Sequence, residues 1–238
     1  MFEEKVAIIT GAAGALGSVT TRAFLENKAK VVALYHTEGK YKDLLTNLGE
    51  LGNNIHGVHG DATSQDDCQR LLKETIDRHG KVDILVNLVG GWRGGKTLDK
   101  TSEETWDFMV DLNAKTVFLC CKEAISYMKE AKYGKIVNIS SKSSTKEGRM
   151  KNSSAYAAAK SAVRTLTQAM AEEFRDKNIN TNCIMPSTID TEDNRRMLPK
   201  ADYSKWVPPE LIADTIMFLC SEKSKEINGA CIPVYGRS

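Results

Sequence analysis

The chain has 238 residues, 33 of them basic and 31 acidic, for a formal net charge of +2, with 41% hydrophobic and 27% charged residues. This composition excludes a disordered chain, and the near-neutral charge gives no case for nucleic acid or an anionic membrane, which leaves a small molecule as the expected partner. No apolar run approaches the roughly 20 residues of a membrane span, and the start Met1-Phe2-Glu3-Glu4-Lys5 lacks the layout of a signal peptide, so a cytoplasmic location is expected.

Seven apolar runs of strand length punctuate the chain: Val6–Thr10, Val31–Tyr35, Asn54–His59, Val82–Asn87, Lys135–Ser140, Asn180–Met185 and Cys231–Val234. Helical spacing fills the intervals near 15–27, 64–79, 102–130, 153–177 and 208–222. Strands rich in β-branched residues that alternate with helices predict an α/β fold, a doubly wound parallel sheet of about seven strands with helices on both faces. No linker or internal repeat divides it, so residues 1–238 are read as one Rossmann-type domain. The six cysteines are scattered, without a CxxC pair or a histidine at metal-ligand spacing, and are expected reduced, mostly buried and without metal.

The first strand runs into Thr10-Gly11-Ala12-Ala13-Gly14-Ala15-Leu16-Gly17 and then a helix. This puts Gly11, Ala13, Gly14, Ala15 and Leu16 where backbone N–H groups approach a pyrophosphate at a helix N-terminus. At the end of the second strand no acid stands to chelate a ribose 2′-hydroxyl; Tyr35 is followed by His36 and Thr37, with Lys40 and Lys42 beyond, which favours NADP(H) over NAD(H). Asp61 and Ala62 follow the third strand, Asp61 as an acceptor for the adenine amino group or else as a cap for the next helix. Asn87, Val89 and Gly90 follow the fourth, at the carboxyl edge of the sheet where ligands bind.

Asn113 lies inside a helix whose apolar face should be buried, so its amide needs a partner. The fifth strand ends on Ser140-Ser141, and Tyr156 and Lys160 are spaced i, i+4 on the next helix, which puts a cation beside a phenol. An ammonium there, joined by the positive charge of an oxidised nicotinamide, draws the phenol toward the range useful for acid/base work. A Tyr-x-x-x-Lys pair alone is weak evidence, since many helices contain one by chance.

With the Thr-Gly turn, these four residues resemble the short-chain dehydrogenase/reductase family over nearly the whole chain. The resemblance implies that Tyr156 exchanges the substrate proton and Ser141, the second serine of its pair, binds the carbonyl oxygen. It further implies that Lys160 holds the nicotinamide ribose and lowers the Tyr156 pKa, while Asn113 holds a relay water. Ser140 would point to the core or bond backbone. The run Pro186-Ser187-Thr188-Ile189-Asp190-Thr191 resembles the family's Pro-Gly turn, with Pro186, the Ile189 backbone and the Thr191 hydroxyl against the cofactor. The family also implies a homo-oligomer, dimer or tetramer, with 102–130 and 153–177 as interface candidates. Ala15, Leu88-Val89 and Ser187 depart from its usual residues.

The loop Gly90-Gly91-Trp92-Arg93-Gly94-Gly95 and the segment from Asp190 through Asn194-Arg195 to Trp206 are similar to the dihydropteridine reductases, whose substrate is a quinonoid dihydropterin. Trp92 could stack on a flat ring, and Trp206 or Tyr203, in a substrate lid segment around 188–212, could close over it; packing of the lid is the alternative role for each Trp. Against this likeness, dihydropteridine reductases lack a serine at the position of Ser141 and carry an acid after the second strand. The leading expectation is an NAD(P)(H)-dependent oxidoreductase acting on a carbonyl/alcohol pair; the alternatives are reduction of a quinonoid dihydropterin and a non-catalytic dinucleotide-sensing module.

Overall fold

Parallel strands cannot be joined by hairpins, so each must be separated from the next by a crossover long enough to traverse a face of the sheet. In the computed structural model, which describes residues 1–148 and 150–237, the strands are β1 (Val6–Thr10), β2 (Lys30–Tyr35), β3 (Ile55–His59), β4 (Ile84–Asn87), β5 (Gly134–Ile139), β6 (Ile179–Pro186) and β7 (Cys231–Val234). They form one sheet in the order β3-β2-β1-β4-β5-β6-β7, every pairing parallel. This is the doubly wound α/β architecture that the sequence predicts.

The crossovers carry α1 (Ala15–Glu26), α2 (Glu38–Leu48), α3 (Gln65–His79), α4 (Glu103–Val110), α5 (Thr116–Ala131), α6 (Ser154–Glu173), α7 (Glu192–Met197) and α8 (Pro209–Cys220). Successive strand residues point to opposite faces. Ala7 and Ile9 of β1 therefore join Phe24, Ile212 and Ile216 in one core, beneath α1 and α8. Val6 and Ile8 join Leu71, Leu72, Val117, Cys120 and Val163 in the other, beneath α3, α5 and α6. Five of the six cysteines are buried, and Cys231 is partly exposed. Among the described residues no helix is long and apolar enough to cross a membrane.

Two features differ from the sequence expectation. Helices α2 and α7 were not anticipated: Gly39 and a thin stripe of Tyr41, Leu44 and Leu48 mask the first, and the second buries no residue. The predicted run 102–130 is helical throughout Glu103–Ala131, but not uniformly α, because Asp111–Lys115 forms a π turn between α4 and α5. Such a turn widens the helix by one residue and is frequent at functional sites. The strand order reverses between β1 and β4, and the crevice beyond their carboxyl ends is where an open α/β sheet binds ligands.

Candidate active site

The β1–α1 turn is built for close approach. Gly11 adopts φ +66°, and a Cβ there would lie 3.2 Å from the Val89 nitrogen. Thr10 Oγ1 accepts hydrogen bonds from the Leu88 and Val89 N–H groups at 3.1 and 3.4 Å, tying this turn to the loop after β4. A Cβ on Gly17 would stand 2.0 Å from the Gly11 carbonyl oxygen, so α1 meets the turn where no side chain fits. Gly14 begins α1 without a side-chain cap, which leaves first-turn N–H groups for an anion. A dinucleotide pyrophosphate fits this cradle.

Gly17→Ala is accordingly expected to cost several kcal/mol, roughly the scale of a badly overpacked core site, and to abolish dinucleotide binding. Gly39→Ala, where a Cβ meets nothing within 4 Å, is expected to be neutral or to stabilise by about 0.5–1 kcal/mol. Urea unfolding of the two variants beside the wild type checks both.

A cleft of about 480 Å³ opens beside the turn and brings together Gly11, His36, Asp61, Ala62 and Val89 from four strand ends. Leu34, Phe108, Asp111 and Leu112 also line it; no motif marks them, and the last three arrive only through the α4–π turn. Ser64, rather than Asp61, caps α3 by accepting from the Asp67 N–H at 3.3 Å. Asp61 Oδ1 instead accepts from the Thr63 N–H at 2.8 Å. His36 and Thr37 are exposed at the end of β2. Glu38 is engaged by the Tyr35 hydroxyl at 2.9 Å, with Lys42 3.8 Å away. The Asn87 side chain is buried, its Nδ2 donating to Asn138 Oδ1 at 2.9 Å and to Cys121 Sγ at 3.3 Å, while its Oδ1 has no hydrogen-bond partner among the described residues.

The second group forms where β5 meets α6. Lys160 is buried, and its Nζ donates to the Ile139 carbonyl at 2.8 Å, 5.9 Å from the centre of the Tyr156 ring. Burial pulls the Lys160 pKa down to about 8. Tyr156 sits one turn earlier on the same helix. Burial holds its phenol above the ordinary range, and a hydrogen bond with the Ser141 side chain offsets part of that rise. The expected lowering by Lys160 is absent from this arrangement, because the ammonium is turned onto Ile139 and desolvation outweighs the remaining effects. Ser140 Oγ donates to the Lys160 carbonyl at 2.7 Å, the backbone role expected of it.

Asn113 is fully buried in the π turn. Its Nδ2 donates to the carbonyls of Gly91 and Met109, each at 3.0 Å, and its Oδ1 accepts from the Gly91 N–H at 3.2 Å. The amide thus clamps the loop after β4 to the helix. A Cβ on Gly90 would lie 3.0 Å from Asn113 Oδ1 and 3.1 Å from Lys160 Nζ. Gly90 therefore passes between the Asn113 amide and the Lys160 ammonium, where only a glycine fits closely. A phenol bonded to a hydroxyl, one turn from a buried ammonium, can pass a proton to a carbonyl oxygen or take one from an alcohol.

The family model described as short chain dehydrogenase matches residues 5–202. The chain belongs to the short-chain dehydrogenase family. A (2S)-[(R)-hydroxy(phenyl)methyl]succinyl-CoA dehydrogenase subunit of Thauera aromatica is 32% identical over 242 residues, covering 98% of this chain and 96% of that one. A short-chain type dehydrogenase/reductase from Mycobacterium ulcerans superposes with a TM-score of 0.92 at 25% identity, covering 99% and 90% of the two chains. A structure described as ElxO with NADP bound superposes with a TM-score of 0.91 at 26% identity over 98% and 97%.

In this short-chain dehydrogenase the segment after β6 is braced from within. Ile189 bridges to Val207, the Asp190 N–H donates to the Val207 carbonyl at 2.8 Å, and Arg195 forms a bidentate pair with Asp190 at 2.6 and 2.8 Å. Thr191 Oγ1 caps α7 by accepting from the Asn194 N–H at 3.2 Å. Pro186 ends β6 in the buried sheet. Trp206 is 9% exposed and packs on Tyr203 with ring centres 4.8 Å apart, so its indole is a packing group of the segment and not an open stacking face. Trp92 is 48% exposed, and its Nε1 donates to Ser153 Oγ at 3.1 Å, one turn ahead of Tyr156.

Proposed function

We propose that the chain is an NADP(H)-preferring oxidoreductase that interconverts a carbonyl and an alcohol, with Tyr156 as general acid and base. The observation that carries this reading is the hydrogen bond between Ser141 and the Tyr156 phenol, one helical turn from the buried Lys160 ammonium that faces Gly90, beside a glycine cradle suited to a dinucleotide. Gly11, Ala13, Gly14, Ala15 and Leu16 would hold the pyrophosphate, Asp61 and Ala62 the adenine, and His36 and Thr37 the 2′-phosphate. Val89, Gly90, Ile189 and Thr191 would flank the nicotinamide, which supplies or accepts the hydride when bound.

The remaining steps belong to the chain itself. Ser141 orients the carbonyl oxygen toward the Tyr156 hydroxyl. Tyr156 delivers the proton in reduction and removes it in oxidation. Lys160 binds the ribose and ties the start of α6 to the end of β5 through the Ile139 carbonyl. Asn113 keeps Gly90 and Gly91 in place, so that the wall of the site does not drift. Support for the 2′-phosphate comes from the histidine and threonine where an acid would reject it, and from the NADP-bound ElxO structure.

A second reading, reduction of a quinonoid dihydropterin, is favoured by the half-exposed indole of Trp92. Steady-state oxidation of NADPH and of NADH, on simple ketones and on quinonoid dihydropterin, separates the readings. The expected result is turnover of a ketone with NADPH preferred. Tight dinucleotide binding without turnover of any substrate would point to a sensor. The exposed Phe118 and Tyr127 on α5 support assembly into a homo-oligomer through that helix.

A further inference from the structure

We infer that the substrate of this site carries an anionic group next to a flat unsaturated frame, held by Lys96 and Lys151 beside Trp92; this rests on the carbonyl-reducing reading above. The loops after β4 and β5 contain Arg93, Lys96, Lys100, Lys142, Lys146, Arg149 and Lys151 against the two carboxylates Asp99 and Glu147, in a chain whose net charge is only +2. The positive charge of the molecule is therefore concentrated at these two loops.

The structure brings the loops together. The Gly95 N–H donates to the Asn152 carbonyl at 2.9 Å, which sets Lys96 and Lys151 on either side of that bond. Trp92 donates to Ser153 Oγ, and a Cβ on Gly94 would lie 2.7 Å from the Trp92 ring and 2.9 Å from the Asn152 carbonyl. Asn152 holds φ +61°, and its buried Oδ1 has no hydrogen-bond partner. Among the described residues Arg93, Lys96 and Lys151 are exposed and form no ion pair; Arg93 instead lies 3.7 Å over the ring of Phe108, which lines the cofactor cleft. Unpaired cations around an exposed indole, one helical turn from Tyr156, attract an organic anion and leave its planar part against the ring. The shared chemistry is a carboxylate or phosphate oxygen, and the test distinguishes the two.

Two measurements decide it. In a Trp106→Phe background, where Trp92 is the accessible indole and Trp206 is buried, iodide should quench more strongly relative to neutral acrylamide than it does with free tryptophan amide. Lys96→Glu with Lys151→Glu should lower that ratio at least twofold. With reduced nicotinamide, an aryl keto acid or its CoA thioester should exceed the neutral methyl ester of the acid at least tenfold in kcat/KM, with the excess falling as salt rises and vanishing in the double variant. A larger value for the acid assigns the site to carboxylate, and a larger value for the thioester assigns it to phosphate. Ester turnover equal to that of both anions, or quenching indifferent to the two lysines, overturns the anion site while leaving the reductase intact. Charge-dependent quenching without turnover of any of the three keeps the anion site and removes the carbonyl-reducing reading.

Discussion

Tyr156→Phe is expected to lower kcat by about a thousandfold, within the range set by loss of a positioned acid/base group, while leaving dinucleotide affinity within about twofold of the wild type. The phenol ring stays in its helical position and only the hydroxyl is lost, together with its hydrogen bond to Ser141. A purely structural role would instead weaken folding and cofactor binding together. Steady-state kinetics paired with calorimetric titration of NADP+ checks the split. Undiminished turnover would remove Tyr156 from the chemistry.

Lys160→Met should gain stability and lose activity at the same time. The ammonium is buried and its folded pKa falls to about 8, below the roughly 10.4 of an unfolded lysine. The unfolded chain therefore binds that proton more tightly than the folded one. The cost is fully present below pH 8 and is relieved as the pH rises from 8 toward the unfolded value, so wild-type stability climbs across that window. Removing the charge should raise stability at pH 7 by on the order of 2 kcal/mol, after allowance for the lost bond to the Ile139 carbonyl. The advantage should shrink by about pH 10. Turnover should drop about a hundredfold, the order of the loss when a group that positions the reactants is removed. Urea unfolding at the two pH values checks the sign. A variant less stable than the wild type at pH 7 would show that the Ile139 bond outweighs the desolvation.

Much of this was readable from the residues. Strands such as Val6–Thr10 are apolar along their length because both faces of the sheet are covered, and their bounds were legible for that reason. Tyr156, Lys160, Ser141 and Asn113 are legible as candidates because motif spacing survives in a chain that departs from its family elsewhere. Other features depend on three dimensions. Asn87 is legible as the end of β4, yet nothing local reveals that Asn138 stands on the adjacent strand to take its amide nitrogen. Trp206 promised a stacking face, but its burial is decided by Tyr203 and the closing of the segment on itself. Asp111 and Leu112 reach the cleft on the π turn itself, with Phe108 one turn before it, and hydrophobic spacing contains no sign of that change of form.

That change of form has a consequence for how the long segment between β4 and β5 divides its duties. A regular helix fixes the angular relation of every residue to every other, so a shift that suited Asn113 would also rotate Val117, Cys120, Cys121, Ala124 and Met128 off the sheet. The extra residue of the π turn acts as a phase adjuster. The half before it is set in angle by Gly91 and the cleft, and the half after it by the hydrophobic layer over β4 and β5. Variation on the cleft side of α4 can thus proceed without disturbing the angular setting of α5 over the core.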